Sequence, residues 1–170
     1  AKAQAYFIKA TTMHAIGGGN LIYEIQQNSN TTYRVSDWGR VGKDGQPREL
    51  HVEKAMNCLK HKNEKRVVTP YRVGDFKYHS TSVESHFNIR QLASCEFFHV
   101  EEFSLAGKLE VVTSECSFET LYAVDGDLTI VHDDETYLLE RGKTCLIPAQ
   151  AGAYSVESAD KSIFIRSRLA

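Results

Sequence analysis

The apolar and polar positions of this chain fall into two regimes. From Cys95 onward, short apolar runs alternate with turn residues at near-regular spacing. They predict strands at Glu96–Phe103, Lys108–Thr113, Phe118–Val124, Leu128–Val131, Thr136–Leu139, Thr144–Ile147, Ala153–Val156 and Ser162–Arg166. Gly107, Asp125, Gly126, Asp133, Asp134, Gly142, Pro148, Gly152 and Asp160 stand in the breaks, as turn chemistry requires. Many short strands so arranged predict an antiparallel sandwich or small barrel, and eight suit a jelly roll.

Upstream the pattern is more broken. Leu21–Ile25 and Thr32–Val35 favour strand. Val41–Pro47 reads as a turn or loop, because Asp44-Gly45 and Pro47 punctuate it. Glu49–Lys60 predicts the best helix: Leu50, Val52, Ala55, Met56 and Leu59 recur at roughly helical spacing between charges. His61–Lys65 reads as a polar linker, and residues 66–91 carry few strong patterns. An all-β chain with one short helix is expected, divided near residue 65.

Composition narrows the classes. The chain has 170 residues, 42% hydrophobic and 25% charged, as in a soluble globular protein holding one domain and part of another. Its net charge of -2 predicts neither a nucleic-acid nor a membrane partner. No apolar run approaches the roughly 20 residues of a membrane span. Ala1–Ala5 leads straight into strand-like residues with no signal peptide, so a cytoplasmic setting is expected. Cys58, Cys95, Cys116 and Cys145 form no C-x-x-C pair, and are expected as buried, reduced thiols.

Candidate chemistry gathers near the N-terminus. His14, Glu24 and Arg34 follow one another at ten-residue intervals. Taken singly, each has a plain structural alternative: a hydrogen-bonded histidine, an ion-paired glutamate and a surface strand arginine. If His14 ligates a metal, its partners must lie mostly upstream, since a site needs several converging donors. Arg48 could reach a phosphate, cap the helix or form a surface ion pair. Gly17-Gly18-Gly19 lacks the ending of a phosphate-binding P-loop and reads as a tight turn.

The tail carries Glu119, six residues, then Gly126, followed by Gly142, five residues and Pro148. This resembles the two sequence blocks of a cupin barrel. In that family metal-binding histidines stand shortly before the glutamate and after the proline. Here those places hold residues such as Thr113 and Glu115, and the stretch Ala149–Tyr154. The resemblance implies a metal-free, structural or lid-bearing cupin over residues 66–170, with Glu119 a surface or hydrogen-bonded strand residue. The opening segment resembles the closing block of another cupin, apolar-Pro-x-Gly-x-x-His. His14 keeps the ligand position, while Lys9 replaces the proline and Thr11 the glycine.

The string from His14 through Glu24, Arg34 and Asp37, then Gly39–Arg48 and His51, resembles the type I mannose-6-phosphate isomerases of bacteria. The likeness continues through Cys95–Phe98, Val124–Gly126 and Leu146–Ala149, and so covers essentially the whole chain. It implies a zinc-dependent aldose–ketose isomerase that interconverts mannose 6-phosphate and fructose 6-phosphate through a cis-enediol. In the family, zinc is held by a Gln, a His and a Glu from upstream, plus the histidine aligned with His14. Glu24 and Arg34 align with active-site residues. Residues 1–65 would then be the closing portion of the catalytic cupin with its connecting helix.

The residue types suit that chemistry. Moving a proton between adjacent carbons needs a base and a positive centre for the developing enediolate. An arginine fork suits sugar oxygens or phosphate. Family members are substantially longer, so the chain is expected to be a fragment inactive alone. Its expected partners are a hexose 6-phosphate and either the N-terminal half of the same enzyme or further copies of itself. The alternative from another class is a non-catalytic cupin that binds sugar phosphate or a partner protein. Trp38-Gly39-Arg40 also resembles the WGR module of nucleic-acid repair proteins, but only over about a dozen residues and without the basic excess that phosphate binding favours.

Overall fold

The computed structural model describes residues 5–59 and 86–170. The chain divides into two compact units, one of Phe7–Thr69 and one of Pro70–Ala170 with Ala1–Tyr6. The expected linker at His61–Lys65, the boundary after residue 65 and the indistinct stretch up to residue 85 lie outside the described residues.

The larger unit is β1 (His86–Ser94), β2 (Phe98–Val112), β3 (Glu119–Asp125), β4 (Leu128–His132), β5 (Glu135–Leu139), β6 (Thr144–Ile147) and β7 (Ala153–Leu169), all paired antiparallel. Two expected pairs of short strands are fused. Lys108–Thr113 continues Glu96–Phe103 as β2, and Ser162–Arg166 continues Ala153–Val156 as β7. Each holds the other straight through its expected break: pairing runs from Phe98↔Leu169 to Val112↔Ala153. Gly107 does not end β2. It takes φ +97 where the register shifts between Leu105 and Gly107, the conformational freedom that a bulge uses. β1 had too weak a pattern to be expected. Its ladder with β2 supplies the order that its sequence does not announce.

The β2–β7 ladder is the spine of one seven-stranded sheet. Its outer half, β7 residues 163–168, pairs with β3, which pairs with β6. Its other half, β7 residues 155–157, pairs with β4, which pairs with β5. Side chains from both halves meet in one core: Phe103, Leu105, Leu121, Ala123 and Phe164 with Leu128, Ile130, Leu139, Tyr154 and Val156. Period-two alternation turns these inward. Phe103 and Phe164 are cross-strand partners whose rings stack at 4.8 Å. β4 and β5 are joined by Asp133 and Asp134, both with positive φ, the two-residue turn that matches the twist of a hairpin.

The unit Phe7–Thr69 differs from the sequence expectation. Leu21–Ile25 and Thr32–Val35 form no strand, because strand propensity needs a ladder partner and no described neighbour supplies one. One isolated bridge, Val41↔Pro47, closes the expected loop. The helix α1 spans Val52–Cys58, inside the expected Glu49–Lys60. His51 precedes it without side-chain capping, because its imidazole is engaged by Arg34. Among the described residues of this unit only Asp37 and Ala55 are buried, and Leu21 is 99% exposed. The cysteines also depart from expectation: Cys58 and Cys116 are exposed, Cys95 and Cys145 half-buried, all four free. Cys58 ends the solvent-facing last turn of α1, and Cys116 sits in the β2–β3 turn.

Gly126 makes the tightest turn requirement. Its φ is +75, and an added Cβ would lie 2.3 Å from Ser162 Oγ and 3.1 Å from Ser162 Cβ. Ser162 is buried, its Oγ bonded to Ser158 Oγ and the Asp127 carbonyl, so it has nowhere to go. Gly126→Ala is expected to lower stability by about 1–3 kcal/mol, measured as a lower urea midpoint with unchanged slope.

Candidate functional site

The strongest organisation in the smaller unit is a carboxylate among arginines. Asp37 is 7% exposed and accepts a two-pronged hydrogen bond from Arg48, Nε to Oδ2 at 2.7 Å and Nη2 to Oδ1. Arg40 Nε lies 3.5 Å from the same Oδ1, and Arg34 Nε lies at 4.0 Å. The hydrogen bond from Arg48 holds the Asp37 carboxyl below its ordinary value against the effect of burial, aided by the charges of all three arginines. Arg48 is correspondingly raised, by its hydrogen bond to Asp37. Of the readings open for Arg48, the structure selects an ion pair, with a buried partner.

Asp37 also starts a tight turn. Arg40 N–H donates to the Asp37 carbonyl at 3.0 Å. The two residues between, Trp38 (φ +55) and Gly39 (φ +69), are both left-handed. Glycine adopts that conformation freely, whereas a tryptophan is held there against its preference. Arg34 is clamped from the other side. Its N–H donates to His51 Nδ1 at 3.2 Å, the His51 N–H donates to its carbonyl at 2.7 Å, and its Nη1 donates to the Glu49 carbonyl at 3.1 Å.

A cleft of about 790 Å³ opens beside this cluster, lined by His14, Ile16, Gly17, Gly18, Trp38 and Arg40, within the size range of small-molecule sites. The Gly18–Gly19 turn is pinned by Asn20, whose Nδ2 donates to the Gly17 carbonyl at 3.1 Å. His14 Nδ1 lies 2.9 Å from the Thr12 carbonyl. A carbonyl only accepts, so Nδ1 carries the proton and Nε2 is the nitrogen left for a ligand. Thr11, standing in the glycine position of the resemblance, has φ +67, a strained value for a β-branched residue.

Of the sequence-predicted residues, His14 lines the cleft, while Arg34 lies in the Asp37 cluster and Glu24 is exposed with no hydrogen bond or ion pair among the described residues. The cleft lining contains neither Glu24 nor Arg34. Sequence reading missed Asp37, Trp38 and Arg40 as a unit. The signal was present in Arg34-x-x-Asp37-x-x-Arg40, a carboxylate centred between two cations on a turn. Among the described residues no group of three or more His, Cys, Asp or Glu side chains could hold a metal. His14 engages its Nδ1 on a backbone carbonyl, as zinc-binding histidines do, but one imidazole does not make a site, and no step below is routed through a metal.

The larger unit holds a second constellation. Glu119 is 3% exposed, accepts a hydrogen bond from Tyr154 Oη at 3.0 Å, and lies 3.8 Å from Arg166 Nη1. Arg166 donates through Nε and Nη2 to Glu101 Oε2 at 3.2 and 2.7 Å and lies 5.0 Å above the Phe103 ring. Thus Glu119 is the hydrogen-bonded strand residue of its two alternatives, not the surface one. Burial works against the Arg166 charge, but Glu101 and Glu119 outweigh it and hold the guanidinium above its ordinary value. Burial first, then the Glu119 charge, raises the Tyr154 hydroxyl well above the usual tyrosine range.

Comparison with known proteins agrees with this fold. Residues 88–168 match the family described as mannose-6-phosphate isomerase, cupin domain. YvyI of Bacillus subtilis is 31% identical over 152 residues, 89% of this chain. Residues 88–168 are therefore a cupin domain of the mannose-6-phosphate isomerase family. ManA of B. subtilis, a mannose-6-phosphate isomerase, is 27% identical over the same share of the chain. A crystal structure of the mannose 6-phosphate isomerase from B. subtilis superposes with a TM-score of 0.67 at 26% identity, covering 83% of this chain and 41% of that one. The chain spans 45% of the length of each of the two B. subtilis relatives. The larger unit is thus an isomerase-family cupin, and the Glu101–Arg166–Glu119–Tyr154 network lies inside it.

Two outcomes follow for that network. Arg166→Ala leaves two carboxylates without their cation and is expected to cost about 3–5 kcal/mol, whereas Arg166→Met with Glu119→Gln and Glu101→Gln costs less, both read by urea denaturation. Tyr154 keeps its proton when folded, whereas the unfolded chain releases it near pH 10. Its contribution is therefore present below about pH 10 and is lost as pH rises above it. Denaturation midpoints measured across that range are expected to fall, and Tyr154→Phe to flatten the fall.

Proposed function

We propose that this chain forms part of an isomerase that interconverts mannose 6-phosphate and fructose 6-phosphate through a cis-enediol. The observation that carries the reading is the similarity to YvyI over 89% of the chain. Residues 1–65 are read as the closing portion of the catalytic cupin and its helix, and residues 66–170 as the C-terminal, metal-free cupin. The near absence of buried apolar residues among residues 7–59 supports a unit completed by further polypeptide, either the N-terminal half of the enzyme or another copy. Four free cysteines suit a reducing cytoplasm.

The reaction moves one proton from C2 to C1 of the sugar and another between O2 and O1, with no change in overall oxidation state. In this reading His14 Nε2 is one ligand of a zinc ion whose other donors lie upstream, and the metal would supply positive charge near the sugar oxygens. Arg34, immobilised by His51, Glu49 and Asp37, presents fixed positive charge for the enediolate. Glu24 makes no hydrogen bond or ion pair among the described residues, which leaves both oxygens open to a proton.

The isolated chain with zinc is expected to show no turnover in a coupled isomerase assay, because one histidine does not hold a catalytic metal. Joined to upstream sequence carrying the other donors, it is expected to turn over, with Arg34→Ala slower by about 10²-fold or more. Robust turnover by the 170-residue chain alone, or an active assembly indifferent to Arg34→Ala, contradicts the assignment. The second reading is a sugar-phosphate-binding cupin without catalysis. Hexose 6-phosphate binding without turnover by the assembled protein selects it.

A further inference from the structure

His51 stands immediately before α1, yet its side chain caps nothing in that helix, where a residue ordinarily turns its side chain onto the first turn. Its backbone carbonyl serves the helix instead, accepting from the Ala55 N–H at 2.8 Å. That commitment bears on Arg34. The His51 N–H donates to the Arg34 carbonyl at 2.7 Å, one half of the pair of bonds that two antiparallel residues exchange. The other half would run from the Arg34 N–H to the His51 carbonyl, which the first turn of α1 already uses. The imidazole supplies the missing acceptor: the Arg34 N–H donates to His51 Nδ1 at 3.2 Å.

An accepting ring nitrogen carries no proton, so in the neutral ring Nδ1 is bare and Nε2 holds the hydrogen. Nε2 lies 3.6 Å from Glu49 Oε2, and the His51 side chain is 20% exposed. A second proton has only Nδ1 to go to, and an imidazolium donates at both nitrogens. Two N–H groups then face each other where one bond was. The charged and titratable groups around the ring are Glu49, Glu53 in the first turn of α1, Tyr33 with ring centroids 6.1 Å apart, and Arg34 itself. The Arg34 guanidinium is held separately, by the Glu49 carbonyl at 3.1 Å and by Asp37 at 4.0 Å. Contacts of this kind weaken steeply with misalignment, so both depend on where the Arg34 backbone stands.

We propose that His51 is a positioning residue for Arg34 and a proton-operated one: the neutral imidazole holds the Arg34 backbone, and the imidazolium releases it. This rests on the isomerase reading for the part Arg34 plays in the reaction, whereas the clamp stands on its own geometry.

Nitrogen-15 NMR of the 170-residue chain reads the ring directly. At about pH 8 the His51 imidazole is expected to show a bare Nδ1 and a protonated Nε2, with the Arg34 amide protected from exchange. As pH falls to about 5, protonation of the ring is expected to lower that protection factor about tenfold. His51→Asn, whose side-chain oxygen accepts without titrating, is expected to keep the protection at both pH values, and His51→Ala to lose it at both. In the chain joined to upstream sequence carrying the other metal donors, kcat is expected to fall as the ring protonates. His51→Asn is expected to flatten that acid limb, and His51→Ala to lower kcat about ten- to hundredfold. A neutral ring protonated at Nδ1, or an Arg34 amide indifferent to His51→Ala, overturns the proposal. So does an acid limb unchanged in His51→Asn. A titrating clamp in a joined protein without turnover sustains the clamp and counts against the isomerase reading instead.

Discussion

Asp37 is one carboxylate set among three guanidinium groups, and the order of residues 34–51 depends on it. A charge this buried persists only when paired. Its pairing reaches Arg48 eleven residues ahead, Arg34 three behind and Arg40 three ahead. These contacts replace the core that the unit lacks, since Ala55 is its one other buried residue among those described. Arg34 and Arg40 are therefore fixed by electrostatics and backbone hydrogen bonds rather than by packing. Charged groups held in place ahead of reaction are what stabilise developing charge.

The larger unit solves the converse problem. There a cation, Arg166, stands between two carboxylates, with Tyr154 donating a hydrogen bond to Glu119. Glu119 occupies the glutamate position of the cupin block, and the positive charge nearest to it is a guanidinium belonging to the chain. The network is closed on its own partners, and it rests on the stacked Phe103 and Phe164 rings. One unit thus sets Arg40 against a cleft, whereas in the other Arg166 and its two carboxylates satisfy one another. That contrast is why the functional argument rests on the smaller unit.

Much of the barrel was legible in the sequence because alternation and turn residues are local signals. Leu128–Val131, Thr136–Leu139 and Thr144–Ile147 lie where their periodicity placed them. The fused β2 and β7 were not legible, since Gly107 and Asp160 read as breaks and only the long-range ladder overrides them. Strand propensity at Leu21–Ile25 misled for the same reason: a strand is a pairing, and its partner is not a local property. His14, Glu24 and Arg34 were found by resemblance. The Asp37–Arg48 bond joins residues eleven apart through a turn that no periodicity predicts. The left-handed Trp38 breaks the rule that such positions go to glycine or asparagine, and a strained residue is one that local reasoning passes over.

The account depends most on Asp37 being an ionised, arginine-bound carboxylate. Carbon-detected NMR titration of its side chain in the 170-residue chain tests this directly. The account predicts a pKa below the ordinary 3.8 of aspartate, returning upward in Arg48→Gln. An Asp37 that titrates at or above that value, or that is indifferent to Arg48, would contradict it.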